Sequence, residues 1–217
     1  MTSVPRLTLE RRLLREYDAV VSCDEVGRGA LAGPVAVGAT VLDARGARRR
    51  IPEGLRDSKL VPEGRRADLA ARAAAWAGAS GVGWASAQEI DEVGIMRALG
   101  LASARALVTL REAGVALDSA VIVLDGNYDY ITPVEPGHTV RAVVKADRDC
   151  AGAAAASVIA KVARDAVMVD LHERAPVYQW ARNKGYASPE HRAAISSHGV
   201  SVHHRRSWSI ADAPTLF

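Results

Sequence analysis

Asp24 and Glu25 follow the apolar run 19–23, Asp125 closes the run 120–124, and Asp147 follows the run 140–144. In an open α/β sheet the ends of neighbouring strands form the ligand crevice. One acid at a strand end is ordinarily a turn-former or a helix cap. Three such ends point to a shared site. Carboxylates gathered there repel one another unless they are protonated or a cation neutralises them. An all-oxygen donor set selects Mg²⁺ or Mn²⁺ over zinc. Adjacent strand residues face opposite sides, so Asp24 and Glu25 can serve one site only where the strand bends or ends, and Gly27 permits that. A further acid, Asp165, lies well along an alanine-rich segment. It is 18 residues beyond Asp147, and an unbroken helix would separate the two by roughly 27 Å. They can share a site only if residues 148–152 double back, which Gly152 allows.

Other reactive side chains fit less well. His191, His198, His203 and His204 sit in a basic stretch with no nearby Cys pair, and they read as surface or nucleic-acid-facing groups. Cys23 and Cys150 lie beside acids that raise a thiol pKa. No Ser or Cys has an evident His partner, so a covalent route is not expected.

The elements that must position these acids follow from the apolar periodicity. Residues 7–17 suit a short surface helix. Residues 19–23, 35–42, 81–88, 120–124 and 140–144 read as strands. Residues 62–77 read as a helix with Pro62 near its start and Gly78 past its end. Residues 90–114 carry helical spacing, and 151–172 is the longest helix. After Pro176 the chain turns polar, aromatic and basic, like a small helical appendage. Hairpin-ordered strands followed by strands alternating with helices imply a mixed sheet with helices on its faces.

Composition narrows the class. The chain has 217 residues, 49% of them hydrophobic, 28 basic against 25 acidic side chains and two cysteines. That excludes a disordered chain and a disulfide scaffold. No apolar run reaches the roughly 18 residues of a membrane span. The N-terminus lacks the apolar core of a signal peptide. A soluble, cytoplasmic, monomeric protein is the expectation. Only Lys59, Lys145, Lys161 and Lys184 are lysines; the other 24 basic residues are Arg.

The turn Gly27-Arg28-Gly29-Ala30-Leu31-Ala32-Gly33 invites a dinucleotide-binding reading. Pro34 and the β-branched run after it predict a strand next, so no helix N-terminus awaits a pyrophosphate. The alternative is that the glycines let a nucleic-acid backbone approach closely. Arg45, Arg48, Arg49, Arg50, Lys59, Lys184, Arg192, Arg205 and Arg206 are candidates for a basic binding face, although Arg45 to Arg50 taken alone read better as a solvated loop.

Asp24-Glu25-Val26-Gly27-Arg28-Gly29 with Leu31-Ala32-Gly33-Pro34 resembles the signature of type 2 ribonuclease H, bacterial ribonuclease HII. Asp57-Ser58-Lys59, Leu124-Asp125-Gly126-Asn127, Lys145-Ala146-Asp147 with the run 154–165, Asn183-Lys184-Gly185-Tyr186, and the closing His203-His204-Arg205-Arg206-Ser207-Trp208 resemble the same family in the same order. Ala187 and Trp208 depart from its commoner Gly and Phe.

The resemblance implies a ribonuclease-H-like α/β fold: a mixed five-stranded sheet flanked by helices, with residues 1–172 as the catalytic domain and 173–217 as a helical substrate-binding region and tail. It implies hydrolysis of RNA in RNA–DNA hybrids and cleavage 5′ of single ribonucleotides in duplex DNA. Two divalent ions, Mg²⁺ or Mn²⁺, would act, leaving 5′-phosphate and 3′-hydroxyl ends. Asp24, Glu25 and Asp125 would be metal ligands, Asp165 would complete the cluster, and Asp147 would be a nearby catalytic acid. Gly27, Arg28 and Gly29 would sense the 2′-hydroxyl. Tyr186 would stack on the adjoining sugar, and Lys59, Asn183 and Lys184 would complete the nucleic-acid contacts. The terminal segment 213–217, ending in Phe217, resembles peptides that dock sliding clamps. The alternative is another metal nuclease of this fold, such as a junction resolvase.

Overall fold

The apolar runs pair into one sheet in the computed structural model, which describes residues 4–208. In chain order the elements are α1 (Thr8–Leu13), β1 (Ala19–Val26), β2 (Val35–Asp43), α2 (Glu63–Trp76), β3 (Ala79–Ala85), α3 (Ala87–Val93), α4 (Ile95–Glu112), β4 (Ala120–Asp125), β5 (Thr139–Val143), α5 (Ala146–Asp149), α6 (Ala151–Arg174), α7 (Trp180–Asn183) and α8 (Pro189–His198). The strand order is β3-β2-β1-β4-β5. β1, β2 and β3 form an antiparallel meander, and β4 and β5 add in parallel to β1. This is the mixed five-stranded sheet expected from the sequence. The turn 27–34 therefore joins two antiparallel strands, which disposes of the dinucleotide reading.

Two faces of β1 bury two cores. Val21 and Cys23 pack with α4 residues Leu99, Ala102, Leu107 and Leu110. Val20 packs on the other side with Leu13 of α1 and Ala153 of α6. The helical pattern 90–114 is split by Gly94, whose φ of +78° ends α3. Ser86 and Glu89 close that helix's N-terminus as a capping box.

The long α6 lies unusually close to the sheet because side chains are missing at the contact. A Cβ added at Gly38 of β2 would stand 2.4 Å from the Ala156 carbonyl oxygen. One added at Gly152 would stand 2.4 Å from Ser22 Oγ. On the opposite face, one at Gly83 of β3 would meet the Ala102 carbonyl oxygen of α4 at 1.9 Å. The N-terminus of α6 is held from α1: buried Glu10 accepts the Gly152 N–H at 2.9 Å. Burial pushes the Glu10 carboxyl above its ordinary value, against the backbone bonds that lower it. Beyond α6, Tyr178, Trp180, Ala194 and Ile195 pack with Leu31, Ala32 and Met168 in a small separate core. No helix among the described residues is long and apolar enough to cross a membrane.

Seating α6 this closely leaves no room for larger side chains. Gly38→Val is expected to destabilise the fold by about 3 kcal/mol, the upper end of the range for overpacking. A urea midpoint unchanged from wild type would show that α6 is not seated as described.

Candidate active site

The acids meet at one end of the sheet. Pairing of Cys23 with Leu124 puts Asp24 beside Asp125 at the ends of parallel β1 and β4. Asp125 is itself opposite Val143, two residues before Lys145 turns left-handed with φ +62° and starts α5. That turn brings the Asp147 N–H to Asp125 Oδ1 at 3.3 Å. Asp24 points to the α6 side, where Ser157, whose hydroxyl donates to Ser58 Oγ at 3.0 Å, favours its charged form. Glu25 points to the other side, where the Tyr130 hydroxyl donates to Oε2 at 3.3 Å and Arg28 Nη1 lies 3.6 Å from Oε1. The two adjacent acids do face opposite sides of the strand, and they sit where β1, still paired with β2 through Val26, loses β4 as a neighbour after Cys23.

The electrostatics are those of crowded like charge. Burial lifts Asp24 well above the carboxylate range, and Glu25, Asp125 and Asp147 push it the same way against the Ser157 bond. Burial also raises Asp125, against the N–H groups of Asp147 and Ala146. Asp147 is raised by burial and then by Asp125 and Asp57, with Lys59 opposing. Lys59 Nζ lies 3.8 Å from Asp147 Oδ2 and 3.9 Å from Asp57 Oδ1. Among the described residues no three His, Cys, Asp or Glu side chains already form a metal cage. The donor set nevertheless fits a hard divalent cation. It is all oxygen, it carries excess negative charge, and Mg²⁺ is usually held by one or two carboxylates with water and substrate phosphate completing its shell.

Asp165, expected among the metal ligands, stands apart. Lys161 Nζ holds both its oxygens at 2.5 and 2.6 Å, and Arg66 Nη1 lies 3.8 Å away. It is eight residues along α6 from Ser157, roughly 12 Å of helix. Asp147 is the acid whose backbone lies beside Asp125.

The glycine loop has a partly different logic from the one expected. Gly27 has φ +85°, and a Cβ there would lie 2.0 Å from Arg164 Nε. The close approach at Gly27 is therefore made by the protein's own Arg164. At Gly29 none of the described residues lies within 4 Å of such a Cβ, which leaves room there for a ligand. Arg28 is half exposed at the rim. The Gly185 carbonyl accepts the Leu31 N–H at 2.8 Å and ties the loop to the Asn183-Lys184-Gly185-Tyr186 turn. Asn183 shapes that turn, donating to the Tyr178 carbonyl and accepting from Gly185 N–H. Lys184, at φ +50°, reaches Glu63 at 3.3 Å and the Ala181 carbonyl. Tyr186 is 37% exposed, with the Arg164 guanidinium 5.4 Å from its ring centroid.

Two expectations need correction. His191 and His204 are buried rather than surface groups. His204 Nδ1 accepts the Ser201 N–H, its Nε2 faces His191 Nε2 at 3.2 Å, and His191 Nδ1 faces the Tyr186 carbonyl at 2.9 Å. His191 Nε2 also accepts from Trp180 Nε1. Burial lowers both imidazoles, His204 to about 4. Arg205 is fully buried and so lies outside any binding face. Arg45 and Arg48 to Arg50 are exposed on a loop at the far end of β2; Gly38, not Asp43, is opposite Asp24, so the loop is roughly 20 Å away along the strand. Ser157, Tyr130 and Arg164 were not singled out for roles in the site. Ser157 had a usable signal, since its motif run was already noted. Both thiols behave as expected: burial pushes Cys23 and Cys150 up to about 12.

A carboxyl whose pKa is raised by folding holds its proton more tightly in the folded state. The contribution of Asp24, Asp125 and Asp147 to the stability of the metal-free protein is therefore fully present below the ordinary carboxylate range and lost as pH rises through their raised values. Asp24→Asn should lift the metal-free thermal midpoint at neutral pH by a few degrees, about 1 kcal/mol. It should also shrink the increment that millimolar Mg²⁺ gives the wild type. A variant that melts lower without metal and gains as much from Mg²⁺ as wild type would contradict the crowded-charge account.

Comparison with known proteins identifies the family. The family model described as Ribonuclease HII matches residues 21–211. A ribonuclease HII of Streptomyces griseus is 45% identical over 215 residues, covering 96% of this chain and 86% of the relative. The ribonuclease HII in the PCNA complex of Archaeoglobus fulgidus superposes with a TM-score of 0.70 at 25% identity, covering 87% of this chain and 94% of that one. Bst-RNase HIII in complex with Mn²⁺ shares the fold at a TM-score of 0.72 and 18% identity, over 94% of this chain and 71% of that one. Sheet, site and relatives agree: the chain belongs to the ribonuclease HII family, endoribonucleases of the ribonuclease H class.

Proposed function

We propose that the chain hydrolyses the RNA strand of RNA–DNA hybrids and cuts on the 5′ side of single ribonucleotides in duplex DNA, using two divalent metal ions. The observation that carries this reading is the convergence of Asp24, Glu25, Asp125 and Asp147 at the sheet end, next to the loop 27–29. Family membership supports action on RNA–DNA hybrids. The four acids would hold the ions, with Asp147 replacing Asp165 in that role. When bound, the ions would supply an activated water and stabilise the departing 3′-oxygen, which leaves 5′-phosphate and 3′-hydroxyl ends.

The chain's own groups do the rest. Ser157 and Tyr130 orient Asp24 and Glu25 from opposite sides of β1. Gly29 offers an open approach for the ribose, with Arg28 and the peptide N–H groups beside it. Tyr186 is exposed enough to stack on a sugar. Lys59, on a long flexible stem next to the acids, is suited to a phosphate.

The test is cleavage of a DNA duplex carrying one ribonucleotide, with and without Mg²⁺. Asp125→Asn and Asp147→Asn should each lower kcat by at least 10³-fold while duplex binding survives. Asp165→Asn should lose less than tenfold. A severe loss in Asp165→Asn with near wild-type turnover in Asp147→Asn would reverse the assignment. Tyr186→Ala should weaken cleavage at single ribonucleotides about tenfold more than on long hybrids, and equal losses would count against a junction-reading tyrosine.

A sliding-clamp contact is a separate reading, favoured by the complex of the Archaeoglobus relative with PCNA. The segment proposed for it, 213–217, lies outside the described residues. Capture of the chain on an immobilised clamp should be lost when those five residues are removed; undiminished capture would exclude the tail.

A further inference from the structure

Two arginines lie buried beneath the glycine loop, and both bond only to backbone carbonyls there. Arg164, from α6, donates through Nε to the Pro34 carbonyl at 2.8 Å, through Nη1 to Lys184 at 2.9 Å and through Nη2 to Ala32 at 3.2 Å. Arg205 donates through Nε to Gly33 at 3.2 Å and through Nη1 to Arg28 at 2.8 Å. Its Nη2 donates to Gly27 at 2.7 Å and to Gly33 at 3.1 Å. Both side chains are fully buried. Arg164 also lies over the Tyr186 ring and Arg205 over the Trp208 ring, 5.0 Å from its centroid.

Such a pair is not an ordinary way to fill a core. Burying an unpaired cation costs several kcal/mol, and the two guanidiniums also disfavour one another. Burial first, and then Arg164, lowers Arg205 to about 9. Asp91 and Asp165 act on them only through longer-range attraction. What offsets the penalty is the set of charge-assisted bonds, which are stronger than neutral ones. An apolar side chain would fill the space without the penalty, but it could not gather the carbonyls of two chain segments onto one rigid fork.

The consequence lies on the opposite side of each peptide. In a planar trans peptide the C=O and the following N–H point in opposite directions. Arg205 draws the carbonyls of Gly27 and Arg28 inward, so the N–H groups of Arg28 and Gly29 face away from it, on the loop whose Gly29 is open. Arg164 does the equivalent at the neighbouring turn, tying the Lys184 carbonyl and packing under Tyr186. The loop and the turn are therefore held in one register by two side chains that touch neither the acid cluster nor the exposed face.

We infer that Arg164 and Arg205 are positioning residues for ribonucleotide recognition, fixing the outward N–H groups of Arg28 and Gly29 and the ring of Tyr186 in the arrangement that a DNA duplex with one ribose must match. This rests on the junction-reading role proposed above. A long hybrid offers many ribose contacts and tolerates a looser loop. A single ribonucleotide offers one register only.

The experiment compares kcat/KM on a long RNA–DNA hybrid with kcat/KM on a duplex holding one ribonucleotide. Arg205→Lys and Arg164→Lys keep the charge but cannot span the carbonyls. Each should lower the single-site to hybrid ratio tenfold or more, chiefly through KM. Ile195→Ala loosens the same small core without touching either guanidinium. It should lower the thermal midpoint and leave the ratio within twofold. The inference is overturned if the Lys variants that fold keep the wild-type ratio, or if Ile195→Ala shifts it as much as they do. Tyr186→Ala separates the two layers. If it too leaves the ratio unchanged, the junction reading itself fails. If it shifts the ratio while the Lys variants do not, only the arginine assignment falls. Should Arg205→Lys not fold, Arg164→Lys alone decides.

Discussion

The close seating of α6 on the sheet is the constraint from which the site follows. A helix can lie this near to β1 and β2 only where both surfaces lack side chains, and Gly38, Gly152 and the run 153–156 supply that. One helix then carries several functions at fixed intervals. Ser157 reaches Asp24, Lys161 holds Asp165, Arg164 supports the glycine loop, and Met168 enters the small core beneath Leu31 and Ala32. A shift of α6 would move all four together. The start of the helix is correspondingly fixed from outside, by Glu10 on its N–H groups and by Thr40 on the Gly152 carbonyl.

Like charges are crowded at two adjoining places, with opposite sign. Around Asp24 three acids meet with Lys59 as the nearest relief, and the tension leaves an appetite for cations. Beneath the glycine loop two guanidiniums meet with carbonyl oxygens as relief, and the loop becomes rigid. The formal charge of +3 conceals both. Net charge reports on solubility and encounter rather than on sites. Here the informative quantity is which charges are buried, and beside what.

The strands were legible because β-branched runs bounded by glycine and proline specify pairing elements, and three of them ended in an acid. The register that places Asp24 beside Asp125 follows from parallel pairing and is not written in either run. Asp147 was harder. Its approach depends on Lys145 adopting a left-handed backbone, which no local residue preference announces. Asp165 misled because its motif, Lys161 to Asp165, reads equally well as a catalytic acid with a supporting lysine and as an i, i+4 ion pair; only the distance from Ser157 decides. The buried His191 and His204 were hidden for a different reason. In sequence they sit among arginines, and their burial comes from Tyr178 and Trp180 folding over them. Gly94 as a helix break and Ser86–Glu89 as a cap were within reach of local rules, though the apolar spacing across them suggested one helix.

The sparing use of lysine takes on a physical sense at Lys59. Arginine's planar, weakly hydrated fork suits the dry space below the loop, where its task is to stay. Lys59 has the opposite surroundings. Its side chain is 77% exposed beside Asp57 and Asp147, and Asp24 and Asp125 add to the attraction while partial burial works against it. An ammonium on a flexible stem relieves the acids when no metal is present. Under the proposed function it would swing to a phosphate once a divalent ion took over that charge. A guanidinium bonded bidentately to the same carboxylates would compete with the metal it has to admit. Holding a site and yielding it are different tasks, and the chain assigns them to different cations.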